Sequence, residues 1–236
     1  MSKTVLLVVS MAFTVLTGGV ALGALSAERA QAQTIPDEVL DASCQPPNSG
    51  PTGLTAFFRK SAIAAQTFTA EHTGLLTRAE VRIQDDHDDR PDVVMEIRTV
   101  DSSGTPTGVV LASTTIPPSV VPQSRYGVVT GRFDPGVPVE AGQQYALALS
   151  TSTEVRGNGP SWQGSNTDLC PGTLYNTYEA HPGEFRAPSP NFDVFFSTFV
   201  TLPTTPQTKP DCKNGGYEEF GFKNQGQCIK AVKHGS

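Results

Sequence analysis

Between Asp85 and Asp92 the chain reads DDHDDRPD, five carboxylates in eight positions. Hard cations such as calcium take several oxygen ligands, so a loop of this composition offers Asp85, Asp86, Asp88 and Asp89 as a calcium site. The order differs from an EF-hand loop and has no closing glutamate nearby, while Arg90 offsets part of the charge. A solvated loop is the competing reading. Further along, GNGPSWQGSNTDLCPGTLY holds Trp162, the single tryptophan, with Gln163, Asn166 and Asp168 close by. An exposed indole flanked by amides and carboxylates is the composition of a sugar-binding platform, in which ring faces stack and polar neighbours bond hydroxyls. The competing reading buries the indole under a loop beside Cys170.

Catalytic signatures are missing from the sequence. Gly-x-Ser-x-Gly, His-Glu-x-x-His and a P-loop do not occur. His181 and Glu184 stand three apart in HPGEF, but Pro182 and Gly183 between them prevent a helix from presenting both to a metal. Two carboxylates meeting in space would suit glycoside hydrolysis, yet no pair is marked out. A secreted hydrolase is therefore the weakest of the functional readings.

Four cysteines, Cys44, Cys170, Cys212 and Cys228, permit three pairings. Cys212 and Cys228 share a short terminal segment beyond a Thr/Pro stretch, and the other two precede it. Cys44 with Cys170 and Cys212 with Cys228 is the economical connectivity. Zinc is disfavoured, because there is no Cys-x-x-Cys pair and His72, His87, His181 and His234 do not flank the cysteines at finger spacing.

The elements that must position these residues read as short strands. AQTFTA, LLTRAEVRI, DVVMEIRTV, GVVLASTTI, YGVVTGRF, QQYALALS and NFDVFFSTFV are separated by Gly and Pro turns, the spacing of a sandwich of antiparallel sheets. Ala79, Val81 and Ile83 alternate with Arg78, Glu80 and Arg82, as a half-buried strand requires. Val93, Met95 and Ile97 form a second such face, and Tyr145, Leu147 and Leu149 a third. The aromatic run from Phe192 to Phe199 is apolar on both sides, which predicts a central strand. No run carries a sustained helical stripe.

This divides the chain into 1–32, 33–61, 62–200, 201–210 and 211–236. The first stretch has one early charge, Lys3, then none until Glu28, and Ala30-Gln31-Ala32 offers a cleavage site. That is a secretory signal, with an uncleaved anchor as the alternative. Residues 33–61 are Pro/Gly-punctuated and read as irregular, 62–200 as an all-β sandwich, and TLPTTPQTKP as a semi-rigid spacer. The terminal segment is too small to fold on apolar burial alone. It reads as a disulfide-stapled unit with turn chemistry at Asn214-Gly215 and a small core of Tyr217, Phe220 and Phe222. Export also suits the cysteines, which oxidise outside the cytosol. The formal net charge of −6 argues against nucleic acid or anionic lipid as partners, and nothing after the signal segment is apolar enough to span a bilayer.

AQTFTAEHTGLLTRAEVRI, EIRTVDSSGTPTGVVLA, VEAGQQYALALS and FDVFFSTFV resemble a β-sandwich domain of secreted bacterial proteins, similar to the choice-of-anchor group of jelly-roll modules. The likeness covers about residues 62–200. The tail DCKNGGYEEFGFKNQGQCIKAV resembles a Cys-Lys-Asn-Gly-Gly segment at the C-termini of exported actinobacterial proteins. These resemblances imply an extracellular, non-catalytic jelly-roll-like sandwich; the family brings no catalytic residues, and QDDHDDRPD and the Cys44/Cys170 pair depart from its pattern. The expected role is a secreted or cell-surface binding or structural module that recognises a polysaccharide or another cell-surface component, without a cofactor unless it is calcium. Protein adhesion through the tail is the alternative.

Overall fold

A computed structural model describes residues 38–46, 54–157, 159–178, 181–187, 192–206, 208–220 and 222–234. The signal segment and the cleavage site after Ala32 lie outside the described residues. Among the described residues, thirteen strands form two antiparallel sheets. The first sheet contains β1 (Glu38–Cys44), β2 (Leu54–Phe57), β4 (Gly74–Gln84), β7 (Gly127–Val139), β9 (Ser161–Ser165), β12 (Asp193–Val194) and β13 (Phe196–Thr201). The second runs in the order β11 (His181–Arg186), β10 (Leu174–Tyr178), β3 (Ala64–Thr69), β8 (Gln144–Thr151), β5 (Val93–Val100) and β6 (Pro106–Ile116). The result is the β-sandwich of antiparallel sheets that the strand spacing predicts, jelly-roll-like as the resemblance implies.

β4 organises the first sheet because its alternation is strict. Val81 and Ile83 are 1% and 0% exposed, while Arg78, Glu80, Arg82 and Gln84 remain half-buried on the opposite face. One edge of β4 pairs with β7; the other pairs with β13 and then with β9, which takes over at Ile83 and Gln84. β13 also carries β1, and β9 carries β2. Val93, Met95 and Ile97 meet this sheet from β5 in one continuous core. The two layers approach so closely that a Cβ on Gly131 would lie 2.4 Å from Met95 Sδ, so a larger residue at that point of β7 would displace the Met95 side chain.

The outer faces of the sheets differ. On the second, β10 and β11 form a hairpin whose Phe185 packs on Ala65 of β3 and Ala148 of β8. Ala148 is fully buried as a consequence, while Leu147 and Leu149 lie in the core between the sheets, so β8 is covered on both sides rather than on one. The first sheet exposes part of its outer face, where Phe57 is 47% and Val128 58% exposed.

Residues 33–61 are not irregular throughout. β1 and β2 lie within them, and Pro46 ends the described stretch that follows β1. The pattern of β1 is inverted: Leu40 is 51% exposed, whereas Asp41 is 1% exposed and accepts the backbone N–H groups of Glu71 and His72 at 2.9 and 2.8 Å. A buried aspartate serving as a backbone acceptor is invisible to hydropathy.

Both expected disulfides are present. Cys44–Cys170 ties the end of β1 to the loop after β9, and Cys212–Cys228 closes the tail. Beside the first bridge, Asp193 is 1% exposed and accepts Leu169 N, Cys170 N and Gln66 Nε2 at 2.8, 3.2 and 3.1 Å. Gln66 in turn accepts from Val194 N at 3.1 Å, so one polar network links the two sheets.

The tail is helical. A 3₁₀ turn at Pro210–Cys212 leads into α1 (Gly216–Glu219) and α2 (Gln225–His234). Asn214 and Gly215 have φ of 53° and 94°, the left-handed turn that an Asn-Gly pair tolerates. Cys212 and Cys228 are fully buried, while Tyr217, Phe220 and Phe222 are half-buried. The disulfide is thus the most buried part of this unit. α2 departs from the expectation of turns alone; its signal is Asn224, whose Oδ1 accepts Gln227 N at 3.0 Å as an N-cap.

Candidate functional site

The open outer face of the first sheet gathers the polar and aromatic side chains best placed to meet a ligand. On β9, Trp162 faces the core, so Gln163 faces out, beside Thr55 of β2. Phe57 lies two residues beyond Thr55 on the same face and is 47% exposed. Arg82 of β4 donates from Nε to Gln163 Oε1 at 3.0 Å, and Thr55 Oγ1 is 2.8 Å from the hydroxyl of Tyr126. These contacts hold the long side chains in place before any ligand arrives.

The same face continues toward β1. Arg78 donates from Nε to Glu38 Oε2 at 2.7 Å, bonds Glu80 through Nη1, and rests its guanidinium 3.4 Å from the centroid of the Phe199 ring. Thr77 Oγ1 donates to Glu38 Oε1 at 2.8 Å, and Arg132 Nη1 lies 3.5 Å from that oxygen. Gln45 Nε2 donates to Ser197 Oγ at 2.7 Å. Burial raises the pKa of Glu38, but the bonds from Arg78 and Thr77 and the charges of Arg78 and Arg132 outweigh it, leaving the carboxyl below its usual range. A general acid for glycoside hydrolysis needs the opposite shift. Glu38 and Glu80 both accept from Arg78.

The face is nearly flat. Its hollow, lined by Gln45, Glu80, Arg82, Val128 and Ser197 among others, measures about 40 Å³. That is room for a water molecule, far below the roughly 300 Å³ or more of a small-molecule pocket. A ligand here would lie along the surface. A larger cleft of about 310 Å³ occurs where the tail meets the sandwich, lined by Glu71, His72, Thr73, Leu202, Pro203, Asp211 and Phe220.

The residues singled out in the sequence are distributed differently. Trp162 is 0% exposed and donates from Nε1 to Phe195 O at 2.9 Å, so its indole has no face left for a sugar; its role is structural. Gln163 is on the open face, while Asn166 and Asp168 lie exposed in the following loop. The four residues therefore do not form one site.

The aspartate loop is also dispersed. Asp85 is 2% exposed, accepts His87 N at 3.1 Å, and lies 2.7 Å from His87 Nδ1 and 3.8 Å from Arg90 Nε. Asp86 is exposed and accepts Gln84 Nε2 at 2.9 Å; Asp88 and Asp89 point outward. Asp85 anchors the loop in place of converging with its neighbours on a cation. Among the described residues, the only set of three metal-ligating atoms close together belongs to Cys44, Cys170 and Asp193, whose sulfurs are joined in the disulfide. Glu184 is exposed on β11 and pairs with Arg186.

No family model matches the chain, and no curated protein does. Among solved structures, the chain is similar to a glycoside hydrolase family 43 arabinoxylan arabinofuranohydrolase from Bacillus subtilis, determined in complex with cellotetraose. The match has 11% identity and a TM-score of 0.31, and covers 54% of this chain and 26% of that one. The chain thus spans about a quarter of that enzyme's length, and a likeness of this size carries no functional information.

Sequence reasoning singled out Gln163 and placed Arg82 on the polar face of its strand, but missed Phe57, Tyr126 and Thr55. Phe57 and Thr55 sit in the Pro/Gly-punctuated segment, where no alternation is long enough to assign a face. Tyr126 precedes β7 in a turn. Only strand pairing brings these three beside Gln163.

Proposed function

We propose that the chain is a secreted, non-catalytic binding module that recognises polysaccharide or a cell-wall glycan on the open face of its first sheet. The observation that carries this reading is the juxtaposition of Phe57 and Tyr126 with the mutually braced Thr55, Arg82 and Gln163. Aromatic surfaces cover the apolar faces of sugar rings, while amide, hydroxyl and guanidinium groups bond their hydroxyls. A flat, braced surface suits an extended chain of sugars more than a single small molecule. Two buried or half-buried disulfides and the absence, among the described residues, of a helix long and apolar enough to cross a membrane are compatible with export.

The test is depletion of residues 33–236 from solution by insoluble polysaccharides and cell-wall sacculi. Covering a phenylalanine ring contributes about 1.5–3 kcal/mol, so Phe57→Ala should weaken retention by roughly tenfold or more. Gln163→Ala should weaken it less, and neither should lower the melting temperature appreciably. Retention on none of the materials, or retention indifferent to both substitutions, would overturn the reading.

A further inference from the structure

The cleft of about 310 Å³ between the sandwich and the tail lies apart from the open face and reaches the size of a small-molecule site. Both of its sides are acidic. Glu71, in the loop between β3 and β4, is exposed on the sandwich side. Asp211 stands on the tail side, held by Thr208, whose N and Oγ1 donate to its two carboxylate oxygens at 2.7 and 2.6 Å.

A third carboxylate lies behind His72. Asp41 is 1% exposed; its Oδ1 accepts His72 N at 2.8 Å and lies 3.4 Å from His72 Nδ1. That nitrogen is buried although the His72 side chain is 38% exposed, so the ring edge toward Asp41 is closed and the remainder of the imidazole lines the cleft. Among the described residues, no lysine or arginine lines it.

The cleft continues into an apolar hollow of about 510 Å³, which shares Thr73, Leu202 and Pro203 with it and adds Leu75 and Pro138. No charged side chain among the described residues lines this second part. Leu75 and Leu202 are 45% and 40% exposed there. One groove thus has an acidic end and an aliphatic end, and the half-buried Phe220 offers a ring to a cation at the acidic one.

We propose that this groove binds an alkylammonium, with the cationic head between Glu71 and Asp211 and the apolar chain along Leu202 toward Leu75. Charge complementarity selects this occupant. An anionic head would meet three carboxylates, a neutral one would leave them unused, and the net charge of −6 draws cations toward the molecule. A free amine and the lysine of a polypeptide share this chemistry.

Titration of residues 33–236 with n-hexylammonium, n-hexanol and n-hexanoate, followed by nitrogen–proton correlation spectra, tests the proposal. The expected result is saturable shifts at Glu71, Thr73, Leu202 and Phe220 with the ammonium, binding at least roughly fivefold weaker for the alcohol, and none for the carboxylate. Leu202→Lys places a like charge in the groove and should weaken the ammonium by at least roughly tenfold; Glu71→Gln should weaken it by roughly twofold to fivefold. Both positions are exposed, so the rest of the spectrum should be unchanged, and Glu71→Gln serves if the lysine variant folds poorly. The peptide acetyl-Leu-Lys-Leu-amide separates the sources: tighter binding than n-hexylammonium assigns the groove to a polypeptide lysine, weaker binding to a free amine, and either supports the proposal. No saturable shift with either ammonium probe would overturn it, as would equal binding of the alcohol or binding that both substitutions leave unchanged.

Discussion

The sandwich and the C-terminal tail achieve order by different means. The sandwich buries Phe58, Phe68, Trp162, Phe195 and a layer of aliphatic residues between two sheets, with the Cys44–Cys170 bridge at its margin. In the tail the fully buried side chains among the described residues are the two cysteines themselves. One region has a core to which a disulfide is added; the other has a buried disulfide and only half-buried aromatics. A small segment has too much surface for its volume, so a covalent constraint replaces the apolar burial it lacks.

The largest test of this contrast is Trp162→Ala. Removing a fully buried indole should destabilise the sandwich by about 3–5 kcal/mol, and the carbonyl of Phe195 loses the shorter of its two hydrogen bonds, keeping the one from Arg82 N. Denaturant unfolding followed by circular dichroism should show a markedly lower midpoint, while amide exchange in α2 changes little. If α2 loses protection in step with β4, the two regions form one cooperative unit and the contrast fails. Replacing Cys212 and Cys228 together by serine probes it from the other side. A bridge spanning 16 residues in sequence is worth about 3 kcal/mol, so α2 should exchange freely while the sandwich keeps its midpoint. Collapse of β4 protection in that variant would show that the sandwich leans on the tail.

The smallest effect concerns Glu38. Its pKa is lowered in the folded state, so it contributes stability above the unfolded value of about 4.3 and loses it as pH falls through the folded value. Glu38→Gln should therefore lower the sandwich midpoint near neutral pH and flatten its acid dependence below about pH 4.3. Urea midpoints of the two proteins should converge at the most acid end, with α2 exchange unaffected throughout. Parallel curves would show that Glu38 has no differential stabilising role.

Much of the sandwich was legible because its strands obey a period of two. Val81 and Ile83 against Arg82, or Val93 and Met95 against Glu96, reveal their faces without any tertiary information. The disulfide pairing was legible from the spacer that separates one cysteine pair from the other. β1 was not, since Asp41 takes a core position through backbone hydrogen bonds while Leu40 faces outward. Trp162 misled for a related reason: its neighbours are polar, yet Gln163 faces solvent and the indole finds its single acceptor in the core. Lys213-Asn-Gly-Gly and Lys223-Asn-Gln-Gly each run into the first turn of a helix, and the second supplies the Asn224 cap. The open face was only half visible, because adjacency across β2, β9 and β4 is a property of pairing and not of any one strand.

The Cys44–Cys170 bridge also determines how the sandwich would carry a mechanical load. Glu38 and Thr201 are partners in the β1–β13 ladder, so tension applied at the two ends of the sandwich peels that ladder open pair by pair. The peeling front then reaches Cys44, where force crosses the sulfurs to Cys170 and continues toward Thr201. The chain between the cysteines, which includes all of β5, β6, β7 and β8, is bypassed. A force–extension trace of the oxidised protein should lack the length of a segment with a sequence separation of 126, and reduction should restore it. The bridge is a fuse for the inner strands: the ends can yield under tension while β5 to β8 stay outside the load path.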